Sequence, residues 1–265
     1  MSEFLRHEPC PRCGSKDNLA RYTDNHAYCF GCDYYEHGDG TPVEQKETHI
    51  VTDLIDYEVV PLQKRGITED TCKKFDYGIG TYEGRPVQVA NYRDSAGTLI
   101  AQKLRFKDKT FKWLGEPKKA SLYGSHLWRE SGKMVTITEG ELDALSVSQV
   151  FNLTWPVVSV PNGVKSAARV IAQNIDWLES FESVVLCFDQ DTQGRAAALE
   201  AAQQLSPGKA KIVTGMPLKD ANDCVVGGKV KELIDAVYSA RSFRPDGVVP
   251  GEELWDVITN DDETP

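Results

Sequence analysis

Several features are missing from this chain, and each absence narrows what it can be. No apolar run in its 265 residues approaches the ~20 residues of a membrane-crossing helix, so no helical span is expected. The opening Met1-Ser2-Glu3-Phe4-Leu5-Arg6-His7 has no apolar core of the secretory kind, which argues against export and for a reducing, cytoplasmic setting. No Gly-x4-Gly-Lys-Ser/Thr loop occurs, so nucleotide hydrolysis by a motor is not expected of this polypeptide. Internal repeats are absent. Lysine and arginine are absent from Asp246 onward, where seven acids gather: Asp246, Glu252, Glu253, Asp256, Asp261, Asp262 and Glu263.

That last absence changes the reading of charge. The formal net charge is −10, yet seven of those units lie in the acidic end, leaving −3 on the rest. Residues 99–119 run the other way. Lys103, Arg105, Lys107, Lys109, Lys112, Lys118 and Lys119 stand there against Asp108 and Glu116, a local +5. A near-neutral body with one basic stripe suits a protein that grips a polyanion locally.

Four of the seven cysteines form two pairs, Cys10-Pro11-Arg12-Cys13 and Cys29-Phe30-Gly31-Cys32, with fifteen residues between them. Each pair can aim two thiolates at one point. The doubled spacing is that of a closed, structural four-thiolate zinc site. A redox pair or a disulfide staple is the lesser alternative, because redox Cys-x-x-Cys usually comes singly and a disulfide domain belongs to an exported chain. A Cys3His shell drawing on His7, His26 or His37 is less economical. Cys72, Cys187 and Cys224 read as reduced thiols.

Residues 1–38 are expected to form the zinc module, too small in core to fold without its metal. Residues 39–52 are polar and rich in breakers, and read as a flexible linker. Residues 53–131 mix short patterns: a capped helix over 68–75, a strand over 87–92, a turn at 93–97 and a returning strand over 98–106. From 132 to 241 strands and helices alternate. The strands fall at 134–138, 157–160, 183–188 and 210–213, the helices at 141–151, 166–178, 194–205 and 230–240. Alternation with short loops implies a mainly parallel α/β sheet flanked by helices, joined to an α+β part. Residues 242–265 are the acidic tail.

The carboxylates fall where such a sheet binds ligands, outside the carboxyl ends of its strands. Glu139 follows the first strand in Thr138-Glu139-Gly140-Glu141-Leu142-Asp143. Asp189 and Asp191 follow the third in Phe188-Asp189-Gln190-Asp191. Asp220 lies in a loop after the last, in Lys219-Asp220-Ala221-Asn222-Asp223. Clustered carboxylates repel one another unless a cation offsets them, and hard oxygen ligands favour magnesium or manganese. Phosphoryl transfer is the chemistry that uses such a cluster. Helix capping accounts well for Asp143, Asp223 and Glu141. It accounts poorly for an Asp-x-Asp set against the apolar run from Val184 to Phe188, so metal is favoured for Glu139, Asp189, Asp191 and Asp220. Gly194-Arg195 opens a helix beside Asp191, and Pro161-Asn162-Gly163-Val164-Lys165-Ser166 is a second turn on the same edge. Each fits a phosphate-holding loop, with Arg195 and Lys165 beside it, as well as it fits an ordinary turn with an N-cap.

From Gln102 to Trp113 cations alternate with apolar or aromatic residues. On a strand, Lys103, Arg105, Lys107 and Lys109 share one face, suited to nucleotide triphosphates or a nucleic-acid backbone. A solvated edge strand is the plainer alternative.

The two acidic motifs resemble the signatures of the TOPRIM fold, shared by DnaG-type primases, type IA and type II topoisomerases and certain nucleases. With the four-cysteine ribbon in front, the chain most resembles the primase domain of the primase-helicase family of phages like T-seven, over nearly all of its length. Arg65-Gly66-Ile67-Thr68-Glu69-Asp70-Thr71-Cys72, Val89-Ala90-Asn91-Tyr92-Arg93-Asp94, Leu122-Tyr123-Gly124-Ser125-His126-Leu127-Trp128, Lys219-Asp220-Ala221-Asn222 and Pro245-Asp246-Gly247-Val248-Val249 carry the likeness together with the basic stripe.

The resemblance implies a zinc ribbon linked to an RNA polymerase domain, its basic N-terminal part over 53–131 and its TOPRIM part over 132–241. It implies one structural zinc on Cys10, Cys13, Cys29 and Cys32, and one or two catalytic magnesium ions on Glu139, Asp189, Asp191 and Asp220. Lys103, Lys109 and Lys112 would contact nucleotides, with Arg105 in the same stripe. The ribbon would help read a template trinucleotide, with His26 at the bases. The loops around Asn25 and over 33–37 depart from the family pattern, so template preference is expected to differ. The family continues into a helicase where this chain stops.

The expected activity is DNA-directed synthesis of short RNA primers from ribonucleoside triphosphates on single-stranded DNA, in a bacterial host's cytoplasm. Replicative helicase and DNA polymerase are the expected partners, and oligomers are expected only through a helicase ring. Glu139 reads equally as metal ligand or general base. A TOPRIM nuclease and a non-enzymatic zinc adaptor for nucleic acid are the alternatives; a topoisomerase would need a tyrosine nucleophile in a further domain.

Overall fold

The computed structural model of the chain describes residues 2–39 and 54–244. The expected linker and acidic tail, including the 245–249 motif, therefore fall almost wholly outside the described residues. The chain divides into two compact units, Met1–Val51 and Thr52–Pro265.

The first unit carries a four-stranded antiparallel sheet in sequence order: β1 (Phe4–Glu8), β2 (Leu19–Tyr22), β3 (Ala27–Cys29) and β4 (Tyr35–Glu36). Arg21 holds it edge to edge, its guanidinium reaching Glu8 at 2.7 Å and Glu36 at 2.8 Å. The apolar cluster beneath is tiny: Cys10, Leu19, Ala27 and Cys29. Two of those four residues are candidate metal ligands, so apolar burial supplies little stability beyond whatever the thiolates bind.

The second unit has two sheets. The antiparallel one runs β5 (Tyr57–Glu58), β6 (Tyr77–Tyr82), β7 (Arg85–Arg93), β8 (Leu99–Arg105) and β9 (Phe111–Gly115) in that order. Helix α1 (Glu69–Phe75) precedes β6, and Thr68 caps it through its hydroxyl, as the sequence pattern anticipates. Strand β6 was not anticipated because it reads Tyr-Gly-Ile-Gly-Thr-Tyr. Its glycines answer to β5: a Cβ on Gly78 would lie 2.5 Å from the Glu58 carbonyl oxygen and 2.7 Å from the Tyr57 ring.

The basic stripe also differs from expectation. Strand β8 ends at Arg105, and Lys107 and Lys109 lie in the turn before β9, which is closed by Phe106 N–Thr110 O and Lys109 N–Phe106 O bonds of 3.0 Å each. The four cations therefore do not share one strand face. Lys109 adopts φ +65° in this turn.

The other sheet is built from β10 (Gly132–Thr138), α2 (Glu141–Val150), β11 (Val157–Ser159), α3 (Ala167–Gln173), α4 (Ile175–Glu179), β12 (Phe181–Cys187), α5 (Thr192–Ala202), β13 (Ala210–Ile212), α6 (Ala221–Val226), α7 (Val230–Tyr238) and β14 (Arg241–Ser242). Strand order is β11-β10-β12-β13-β14, parallel except for β14. The pleat of β12 sends Val184 and Leu186 into a cluster with Ile171, Ala197 and Ala201, and Val185 and Cys187 into one with Leu142, Leu145, Leu233 and Val237. Burial on both faces explains the unbroken apolar run.

The single helix expected over 166–178 is two. Asn174 donates its side-chain amide to the Val170 carbonyl at 2.8 Å and accepts the Ser121 hydroxyl at 2.6 Å, ending α3 there. Helix α6 was not anticipated.

Gly194 sits where α5 passes under the end of β12, and a Cβ there would run into the Asp189 carbonyl. Gly194→Ala is expected to destabilise the second unit by about 1–3 kcal/mol in denaturant unfolding. Unchanged stability would remove this close approach as a constraint.

Candidate active site

Strands β10 and β12 pair in parallel with Thr138 level with Cys187, so Glu139 and Asp189 leave the sheet from adjacent strand ends. The segment after β13 returns across that edge because Gln190 holds it: its amide N donates to Lys219 O at 2.7 Å and its side chain to Val213 O at 3.2 Å. Asp220 then opens α6. Asn222 fixes α6 against α2, donating its backbone N–H to Asp143 Oδ1 at 3.0 Å and its side-chain amide to Ser146 Oγ at 3.0 Å and Arg65 O at 2.9 Å.

Glu139, Asp143, Asp189 and Asp220, from the parallel part, line a cavity of about 430 Å3 together with Lys103, Arg105, Lys109 and Trp113, from the antiparallel hairpin. A larger cavity of about 700 Å3 lies between α5 and the β13–β14 edge. It is mainly apolar and shares only Asp189 with the acidic group, so the smaller one is the better candidate for chemistry.

Helix capping, weighed against metal binding in the sequence, is present at two of the four candidate ligands. Asp191 Oδ1 accepts the Gly194 amide at 2.9 Å and caps α5; Asp220 Oδ1 accepts the Asp223 amide at 2.6 Å and caps α6. The Gly194 amide holds the Asp191 carboxyl below its usual range. Glu139, Asp189 and Asp143 move the opposite way. Burial, with the Asp189 charge next, pushes Glu139 up to about 7. Burial also raises Asp189, and it raises Asp143 well above its ordinary value with the help of Asp220. Lys219 Nζ reaches Asp189 Oδ2 at 3.0 Å and Asp191 Oδ2 at 3.3 Å. Glu139 Oε2 is buried without a hydrogen-bond partner. A buried acceptor lacking a donor, among hard oxygen ligands, fits a divalent cation or a substrate hydroxyl.

The expected cations are not equivalent. Lys103 is drawn into the wall, only 8% exposed: Nζ donates to Glu141 Oε1 and to Pro161 O, both at 2.7 Å, and the Tyr92 hydroxyl donates to the same Glu141 oxygen at 2.5 Å. Arg105 and Lys109 line the cavity. Lys112 pairs with Leu104, on the opposite face of its strand from Phe111 and Trp113, and is not among the lining residues. Lys165 is exposed in a short 3-10 turn and Arg195 lines the larger cavity; neither lines the acidic one. Sequence reasoning missed Asp143, Glu141 and Lys219. Asp143 stands four residues after Glu139 and Lys219 directly before Asp220, the signals that could have marked them.

In the first unit the four cysteine Sγ atoms lie within 4.8 Å of one another, the one such group of ligand atoms among the described residues. Cys10–Cys32 is 3.7 Å and Cys13–Cys29 3.8 Å. A tetrahedron with zinc–sulfur bonds of about 2.3 Å has edges of about 3.8 Å, so the thiols fit zinc. His26 stacks on Tyr22 at 4.2 Å with 7° between the rings, and its Nδ1 pairs with Asp24. Tyr35 and Phe4, each about half exposed, extend this aromatic strip.

Residues 58–115 match the family model described as bacteriophage T7 DNA helicase/primase, N-terminal a+b fold, and residues 136–225 the one described as Toprim-like. The crystal structure of the primase fragment of the bacteriophage T7 primase-helicase protein is 37% identical, with a TM-score of 0.67, over 89% of this chain and 100% of that one. The chain belongs to this phage primase family. The DNA helicase/primase of Enterobacteria phage T3 is 38% identical over 274 residues, 97% of this chain and 47% of its own length, so this chain spans about half of that curated relative. A T7 structure of lagging-strand DNA polymerase interacting with primase domains of two gp4 subunits, bound to an RNA/DNA hybrid and dTTP, matches at 40% identity and a TM-score of 0.67 over 71% of this chain and 95% of that one. The E. coli primase catalytic core, 15% identical at a TM-score of 0.54 over 76% of each chain, shares the fold. The second unit thus has the TOPRIM-containing fold of primases.

Glu139 generates a pH dependence. Its folded value of about 7 exceeds the ordinary 4.5, so its contribution to the stability of the cation-free protein is fully present below 4.5 and lost as pH rises through about 7. Denaturant midpoints are expected to fall over that window, and Glu139→Gln is expected to shrink the fall. An unaltered profile in the variant would contradict the assignment.

Proposed function

We propose that this chain is a DNA primase, joining ribonucleoside triphosphates into short RNA on a single-stranded DNA template. The observation that carries this reading is one cavity lined both by the strand-end carboxylates and by the cations of the antiparallel hairpin. These cations suit the triphosphates: Lys109 and Arg105 offer donors to phosphate oxygens, while Lys103, fixed by Glu141, supplies positive charge at a set position. Trp113 Nε1, bonded to Asn162 Oδ1 at 3.1 Å, stiffens the same rim.

Asp189, Asp191 and Asp220, with Glu139, are the residues that would hold magnesium, and manganese is the natural substitute. A divalent ion there would stabilise charge on the phosphoryl group and the leaving pyrophosphate. The 3′-hydroxyl oxygen of one nucleotide forms a bond to the α-phosphorus of the next as the bond to the β-phosphate oxygen breaks. Glu139, pushed up to about 7 in the cation-free protein, would be the acceptor of the hydroxyl proton if the three aspartates hold the metal without it. In the ribbon, Cys10, Cys13, Cys29 and Cys32 would hold zinc, and His26 with the aromatic strip would stack template bases. A replicative helicase and a DNA polymerase are the proposed partners, in the cytoplasm of a bacterial host.

Incubation with labelled ribonucleotides, magnesium and a panel of trinucleotide templates tests this. Template-dependent oligoribonucleotides are expected, and Asp189→Ala should lower their yield at least about a hundredfold. Strand cleavage without synthesis would support a nuclease, and binding without either would support an adaptor. Stripping zinc should unfold the ribbon and abolish template selectivity while the second unit keeps its protease resistance. Retained selectivity would contradict the ribbon's role.

A further inference from the structure

We propose that Lys219 is a tethered counter-ion, its ammonium placed between Asp189 and Asp191 in the cation-free protein and obliged to leave when a divalent ion binds. The proposal rests on the metal reading above and gives a role to a residue that the sequence motifs contain without assigning it one.

The geometry is specific. One ammonium reaches an oxygen of each carboxylate, at 3.0 and 3.3 Å. Among the described residues no other lysine or arginine pairs with either aspartate, and Glu139, Asp143 and Asp220 have no ion pair at all. A single positive charge is thus set against a group of acids in which burial disfavours the ionisation of Glu139, Asp143 and Asp189. Lys219 is also free to move in a way that Lys103 is not. Its backbone is pinned by Gln190 N–Lys219 O, yet its side chain is 55% exposed, against 9% for Lys103. Releasing this half-exposed ammonium to water costs less than releasing Lys103, because its charge is already partly hydrated.

A divalent ion and an ammonium cannot share the same carboxylate oxygens without strong repulsion. Cation binding is therefore an exchange. In the absence of metal Lys219 relieves repulsion between Asp189 and Asp191 and keeps the cluster folded. When metal enters, the pinned backbone leaves the released ammonium at the rim of the same cavity.

The test is calorimetric titration of the full chain with Mn2+, without nucleotide, for the wild type and for Lys219→Met, Lys219→Arg and Lys109→Met. Melting in chelator and in Mn2+ accompanies it. Lys219→Met is expected to bind Mn2+ roughly three- to tenfold more tightly, because nothing has to be displaced. It is expected to melt below the wild type in chelator and to recover in Mn2+. Lys219→Arg keeps the competing charge and should bind no more tightly than the wild type. Lys109→Met removes a charge from the same cavity that has no ion pair with these acids, and should change affinity less than twofold.

Unchanged or weaker Mn2+ binding by Lys219→Met overturns the proposal, as does a gain no larger than that of Lys109→Met. Absence of Mn2+ binding in every protein removes the metal reading, and the exchange with it. Binding by the wild type with no gain in Lys219→Met removes the exchange alone. Should Lys219→Met not fold without metal, Lys219→Gln is titrated under the same criteria.

Discussion

Repulsion among carboxylates at one sheet edge is the constraint around which the second unit is organised. Parallel pairing of β10 with β12 brings Glu139 beside Asp189, and the Gln190-held return of the chain adds Asp220. Left alone, such a group would drive the edge apart or bind protons. The structure answers with helix N-termini that accept carboxylate charge from Asp191 and Asp220, with the Lys219 ammonium, and with protonation favoured at Glu139. A divalent cation offsets the charge more completely than any of these, which is why the site's resting arrangement and its proposed chemistry have the same origin.

The cationic lining of the cavity depends on a second buried electrostatic unit. Lys103 on β8, Glu141 at the start of α2 and Tyr92 on β7 join the antiparallel sheet to the parallel one, where one apolar cluster also runs from Phe75 and Tyr92 to Leu145 and Val185. A buried ion pair is costly to desolvate and is better understood as fixing geometry than as adding stability. It holds the cationic hairpin at a set distance from the carboxylates.

Much of this was legible in the sequence. The cysteine spacing, the parallel half and the acidic strand ends were visible because each follows from a local rule: ligand spacing, apolar period, motif after strand. Strand β6 was hidden by glycines that only the approach of β5 explains. The stripe from Lys103 to Lys109 was misread as one strand face because a turn at Lys109, with its positive φ, interrupts it. Glu141 and Asp143 passed for helix-start acids, since the residues that give them other roles lie at Lys103, Tyr92 and Asn222, remote in sequence. Lys219 carried no periodic signal, and its role comes from a hydrogen bond made by Gln190.

The central claim is that these distant acids share a divalent ion. Anomalous diffraction from crystals of the chain soaked in Mn2+, recorded at the manganese edge, tests it most directly. The account predicts a peak coordinated by Asp189 with Glu139, Asp191 or Asp220, and Lys219 turned out of the site. A fully soaked crystal with no peak there, or with manganese bound only elsewhere, would contradict it.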